Sequence, residues 1–99
     1  MARRLVFRPH AEADLESIRA FVAADSPHAA VRFVDSIEKR CRSLLEFPGQ
    51  GRTRNDLLAG LRILPFGRRV MIGYLSTEEA IEVLRVWYGG QDYEDFFRG

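Results

Sequence analysis

The sequence predicts an α+β fold in the order β-α-α-β-β-β(-α), in which an antiparallel sheet packs on a helical hairpin. Three observations predict it. Apolar residues recur at helical spacing from Ala11 to Leu45, the period shortens to that of strands after Gly60, and the connections are short enough to keep sequence neighbours adjacent in space. Ninety-nine residues make one domain, assigned to 1–99, because a chain of this size builds a single core with little surface to spare. Its 46% hydrophobic and 29% charged residues exclude a disordered chain, which has too few apolar groups to offset its ordering entropy.

The first element is a short strand, Leu5-Val6-Phe7, closed by Pro9, whose fixed φ and missing N–H suit the first turn of a helix. Ala11, Leu15, Ile18 and Val22 then form the apolar stripe of an amphipathic helix reaching about Ala24, with Glu12, Glu16 and Arg19 on its other faces. Ser26 and Pro27 start the second helix, the serine hydroxyl accepting from a free N–H of its first turn. The stripe of this helix is Ala30, Val34, Ile37, Cys41 and Leu44 or Leu45, and it ends before Pro48-Gly49. The very short link between the helices makes them an antiparallel hairpin.

Residues 49–56 are polar and glycine-bearing and read as an ordered loop or a turn of helix. Three strands follow, Leu61–Pro65, Arg69–Leu75 and Ala80–Tyr88, joined by links short enough for hairpins. Gln91–Phe97 makes the short closing helix.

No apolar run approaches the roughly 18 residues needed to cross a bilayer, and charge returns directly after Leu5-Val6-Phe7, so neither a membrane span nor a signal peptide is expected. The expected location is the cytoplasm. The lone Cys41 reads as a buried small hydrophobe. His10 and His28 read as ordinary surface residues, no residues stand at metal-ligand spacing, and Gly89-Gly90 lacks the further glycine and helix of a phosphate-binding loop, so no metal or cofactor is expected. Glu12, Asp14 and Glu16 share no single helical face and read as solvated. Nothing marks an enzyme of small molecules.

Alternation along the last strand places Ile81, Val83, Arg85 and Trp87 on one side and Glu82, Leu84, Val86 and Tyr88 on the other. Both sides are apolar, as they are in the preceding strand, yet a helical hairpin covers one face of a sheet. The second face is therefore expected to be a groove awaiting a partner or to be closed by self-association. Arg85 stands between apolar neighbours and is expected to meet a carboxylate or phosphate from outside. Net charge is only +1, but of 15 basic residues all except Lys39 are arginine, and residues 52–69 hold Arg52, Arg54, Arg62, Arg68 and Arg69 against the single acid Asp56. That local excess favours an acidic partner or a phosphate backbone.

Four runs in this order, Ala13–Ile18, Phe47–Arg52, Gly60–Gly67 and Val83–Tyr93, resemble the ParE/RelE toxin superfamily of type II toxin-antitoxin systems, and its ParE branch most closely. The resemblance implies a toxin whose antitoxin lays its C-terminal segment across the uncovered surface, giving a hetero-oligomer. It implies DNA gyrase as the target for a ParE-like member. For a RelE-like member it implies ribosome-dependent cutting of messenger RNA, with Arg62 and Arg85 as phosphate clamps and Tyr88 or Tyr93 as the tyrosine near the C-terminus. The partner surface expected on this basis holds Arg62, Arg85 and Trp87 in or beside a groove, with Val83, Arg68, Arg69 and Gln91 around them. Arginine is a poor proton acceptor, and no lysine stands in the central loop where Arg52 and Arg54 sit, so the binding inhibitor is preferred to the ribonuclease. Tyr88 and Gln91 stand where the ParE-like pattern commonly has a histidine and a basic residue. Whether the chain is an enzyme therefore stays open, as does an inactive toxin-fold complex partner.

Overall fold

The computed structural model describes residues 3–98; Met1, Ala2 and Gly99, within the expected domain 1–99, lie outside the described residues. The elements are β1 (Arg4–Phe7), α1 (Pro9–Ala23), α2 (Pro27–Arg42), a 3-10 turn at Ser43–Leu45, β2 (Arg52–Thr53), β3 (Arg62–Phe66), β4 (Val70–Ser76), β5 (Ala80–Tyr88) and α3 (Tyr93–Arg98).

Local chemistry explains the boundaries. Arg8 is extended and Pro9 opens α1, while Ser26 Oγ accepts from Ala29 N at 3.2 Å to cap α2, which Pro27 opens. Lys39, Arg40 and Arg42 sit in the last turn of α2, where cations are favoured by the carbonyl end of the helix dipole. Arg40 Nη1 then donates to Gln50 Oε1 at 2.5 Å, tying the following loop back to the helix end.

The sheet has five strands in the order β1-β5-β4-β3-β2. β1 runs parallel to β5, with Leu5 opposite Ile81 and Phe7 opposite Val83, and the other pairs are antiparallel. The expected antiparallel sheet is therefore mixed at one edge, because the first strand pairs with the last. β2, expected as loop or helical turn, forms because Arg54 N donates to Leu61 O at 2.8 Å and Asn55 Oδ1 accepts from Gly60 N at 2.8 Å, closing residues 54–61 into a tight return.

The hairpin α1–α2 lies on one face. Leu15, Ile18, Ile37, Cys41 and Leu44 meet Val70, Ile72, Tyr74, Ile81, Val83 and Val86 there. Fully buried Tyr74 is anchored at its hydroxyl, which donates to Pro48 O and accepts from Gly51 N, both at 2.8 Å. Any Cβ at Gly51 would lie 2.8 Å from the Tyr74 ring, so the loop approaches closely only because residue 51 is glycine. Burial raises the Tyr74 pKa above the usual tyrosine value. It pushes the Cys41 thiol up to about 12, Glu38 adding to the effect.

A β-bulge corrects the expected division of faces. Gly73 pairs with Arg85 but Tyr74 with Val83, so Leu84 is an extra residue in β5. The alternation shifts there: Ile81, Val83 and Val86 belong to the helix-side core, with Tyr88 packed against it, whereas Leu84 and Trp87 belong to the opposite side. Nor does that opposite face lie open. Leu61, Ile63 and Trp87 are buried on it beneath Leu57, Tyr93 and Phe97, so the 54–60 return and α3 cover it from within the chain.

Candidate functional site

Arg85 does not await an acid from outside. Its Nε and Nη2 donate to the two carboxylate oxygens of Asp14 at 2.6 and 2.9 Å, and the side chains are 12% and 13% exposed. The route is set by topology. Pairing with β1 stops at Val83, so beyond it the β5 edge is free, and α1 crosses there with Asp14 Oδ2 also accepting from Val86 N at 2.8 Å. The guanidinium further lies 4.5 Å from the Phe96 ring centre and 5.5 Å from that of Trp87. Asp14, which reads as solvated in the sequence, is the residue missed. The signal was present, since Asp14 falls at i+3 from Ala11 and directly before Leu15, on the margin of the buried stripe.

The other expected site residues are dispersed over the molecule. Val83 is fully buried in the helix-side core and Trp87 is 3% exposed under α3, so neither offers surface to a partner in this arrangement. Arg62 Nη1 donates to Gly51 O at 2.7 Å and to Gly49 O at 3.3 Å. The Tyr93 hydroxyl accepts from Arg54 Nη1 at 2.8 Å and Arg52 Nη2 at 3.2 Å. Arg54 also pairs with Asp56 and with Glu94, at 2.8 and 2.7 Å, which holds its guanidinium more firmly protonated and pulls the Asp56 carboxyl below its usual range. These contacts pin α3 to the 54–56 return. Arg68 and Arg69 are exposed on the β3–β4 turn, which Gly67 makes at a φ of +60°.

What the structure assembles instead lies around Tyr88, at the end of β5. Its ring packs edge-on between Phe21 of α1 and Phe33 of α2, each 5.8 Å away between ring centres. Two shallow clefts open on either side of Tyr88. One, of about 400 Å³, is lined by Val22, Ala29, Arg32 and Phe33. The other, of about 480 Å³, is lined by Ile18, Phe21, Arg69, Val86 and Gln91 among others. Phe21 is 67% exposed at the rim of the second. Gln91 Oε1 accepts from Tyr88 N at 3.1 Å, fixing the turn that forms one wall. Among the described residues no group of three or more His, Cys, Asp or Glu stands where it would hold a metal ion.

A helical hairpin on one face of a mixed sheet, with a short C-terminal helix on the other, defines the class through its structural counterparts. The solved structure described as "Chromosomal ParDE TA system from P. aeruginosa" has the same fold, with a TM-score of 0.74 and 24% sequence identity over 89% of this chain and 97% of that one. The family model described as "ParE toxin of type II toxin-antitoxin system, parDE" matches residues 5–93, and the chain belongs to that family. No curated protein sequence matches the chain at a significant level.

Proposed function

We propose that this single-domain chain is the toxin of a type II toxin-antitoxin pair that acts by binding its target, DNA gyrase, and is neutralised in the cytoplasm by a cognate antitoxin. One observation carries the preference for binding over bond chemistry. Three of the groups that RNA cleavage would require are engaged by contacts within the chain, Arg85 by Asp14, Arg62 by two backbone carbonyls and Tyr93 by two arginines, while Tyr88 stands apart from them at the aromatic cleft. Cleavage by a 2′-hydroxyl calls for a proton acceptor and cations converging on one phosphate. Here the candidate groups belong to separate sets. Family membership supports the toxin class, and no helix among the described residues is long and apolar enough to cross a membrane.

Induced expression in a bacterium tests the reading. Expected are filamentous cells with DNA damage and intact transcripts, together with inhibition of purified gyrase by the purified chain. Rapid arrest of translation with cut messages would establish the ribonuclease instead, and unimpaired growth would establish an inactive complex partner.

A further inference from the structure

A further cleft, at the other end of the sheet, is lined by polar groups that the fold leaves unengaged. It encloses about 400 Å³ between the turn at residues 48–49, Gly60 and the side chains of Thr53, Asn55, Arg62 and Ser76. Ser76 ends β4, whose first residue, Val70, pairs with Tyr88, so the length of that strand, roughly 20 Å, separates this cleft from the aromatic one. Arg62 is half-buried and is the one cation lining the cleft, and no carboxylate lines it. Its Nη1 is occupied by the carbonyls of Gly49 and Gly51, which orients the guanidinium. The Nε–Nη2 edge is the one through which Arg85 grips both oxygens of Asp14. In Arg62 that edge makes no hydrogen bond or ion pair among the described residues, and neither do the exposed hydroxyls of Thr53 and Ser76. Asn55 accepts from Gly60 N through its oxygen, leaving its amide nitrogen to donate.

The geometry points to this cleft as a binding site for a small sugar phosphate. The planar edge of Arg62 can take two oxygens of a phosphate monoester in parallel, the contact at which arginine surpasses lysine. The remaining phosphate oxygen and the sugar hydroxyls, which both donate and accept, match the Thr53 and Ser76 hydroxyls and the Asn55 amide. A phosphorylated pentose suits the volume, since small-ligand sites run from about 300 Å³ upwards. A nucleotide is a worse match, because a base calls for an aromatic face to stack on and no aromatic side chain lines this cleft. A nucleic-acid strand is worse still: following its backbone needs a track of cations, and here Arg62 stands alone. Such a site is independent of the gyrase and antitoxin readings, and lets a small metabolite bind at one end of the sheet while the other end engages a protein.

The test is calorimetric titration of the purified chain with ribose-5-phosphate, in wild type, Arg62→Lys, a Thr53→Val/Ser76→Ala double variant and a Lys39→Gln control. Saturable binding is expected in wild type and in the control, weakened about 10-fold in Arg62→Lys and about 5-fold or more in the double variant. The Thr53 and Ser76 side chains are exposed and hold no partner in the fold, so the double variant should melt at the wild-type temperature. It keeps the site testable even where Arg62→Lys loosens the turn at residues 48–51. No saturable binding by wild type, or equal binding by all four proteins, would overturn the assignment. Inorganic phosphate or unphosphorylated ribose binding as tightly as ribose-5-phosphate would overturn it too, since one half of the ligand would then suffice. Tighter binding of uridine monophosphate or of an RNA oligonucleotide would overturn it in favour of a nucleic-acid contact.

Discussion

The two faces of the sheet are enclosed in different ways. On the helix side, residues from both long helices and three strands interlock in one cluster whose largest members, Tyr74, Ile37, Leu44 and Ile72, are fully buried. On the other side the buried hydrophobic cluster among the described residues is Leu61, Ile63 and Trp87, beneath a six-residue helix that buries no side chain completely and leaves Phe96 41% exposed. The cover there is held by particular contacts: Arg54 to Glu94, Arg52 and Arg54 to the Tyr93 hydroxyl, and Trp87 edge-on to Phe97. One face is secured by apolar area and the other by a few polar and aromatic clasps. Asp14 and Arg85 join the two around the free edge of β5.

The largest effect is expected at that junction. Asp14→Ala strands Arg85 in a site where it is 12% exposed, and should cost about 3–5 kcal/mol in denaturant unfolding, whereas replacing both residues by leucine should recover most of the loss. A double variant as unstable as the single one would break the account of Arg85 as an internally paired charge. Next, Leu44→Ala in the helix-side core should cost about 2–5 kcal/mol. Phe97→Ala under the thinner cover should cost about 2 kcal/mol at most. Equal losses would erase the contrast between the faces.

Two smaller effects follow pH. The Cys41 thiol is raised from 9.0 to about 12 in the folded chain, so the stability it contributes is complete below pH 9 and is lost as pH rises from 9 towards 12. Thermal melts of Cys41→Ala should be flatter than wild type over that window. On the other face the sign is reversed. The Asp56 carboxyl is held below 3.8 by Arg54, so its contribution is present above that value and is lost as pH falls through the lowered one. Trp87, the only tryptophan, should report this as a red shift of its fluorescence below pH 4, ahead of the loss of helical circular dichroism. Coincident transitions would show that the clasp and the core open as one unit.

The same contrast explains what could be read beforehand. The stripes of α1 and α2, the Ser26 cap and strands β3 to β5 follow from regular spacing, and regular spacing is what a hydrophobic pattern records. Leu84 adds one residue without altering composition, so the side-chain phase along β5 reverses with no mark in the sequence, and Arg85 and Trp87 are then grouped with the wrong neighbours. β2 is two polar residues whose strand character comes from bonds made by Arg54 and Asn55 across the return. The partnership of Asp14 with Arg85 spans 71 positions, a separation at which local patterning is silent. The aromatic cleft was missed because Phe21, Phe33 and Tyr88 lie on three elements and meet only once the layers are stacked.

The parallel pairing of β1 with β5 has a consequence for synthesis. Residues 4–7 are translated long before their hydrogen-bonding partners, 80–83, and contacts of such long sequence separation slow folding. Tyr88 and Val86, which help wall the cleft, are translated later still. A polypeptide cut short before β5 therefore carries a helical hairpin without the aromatic cleft, which is complete only once β5 has been made.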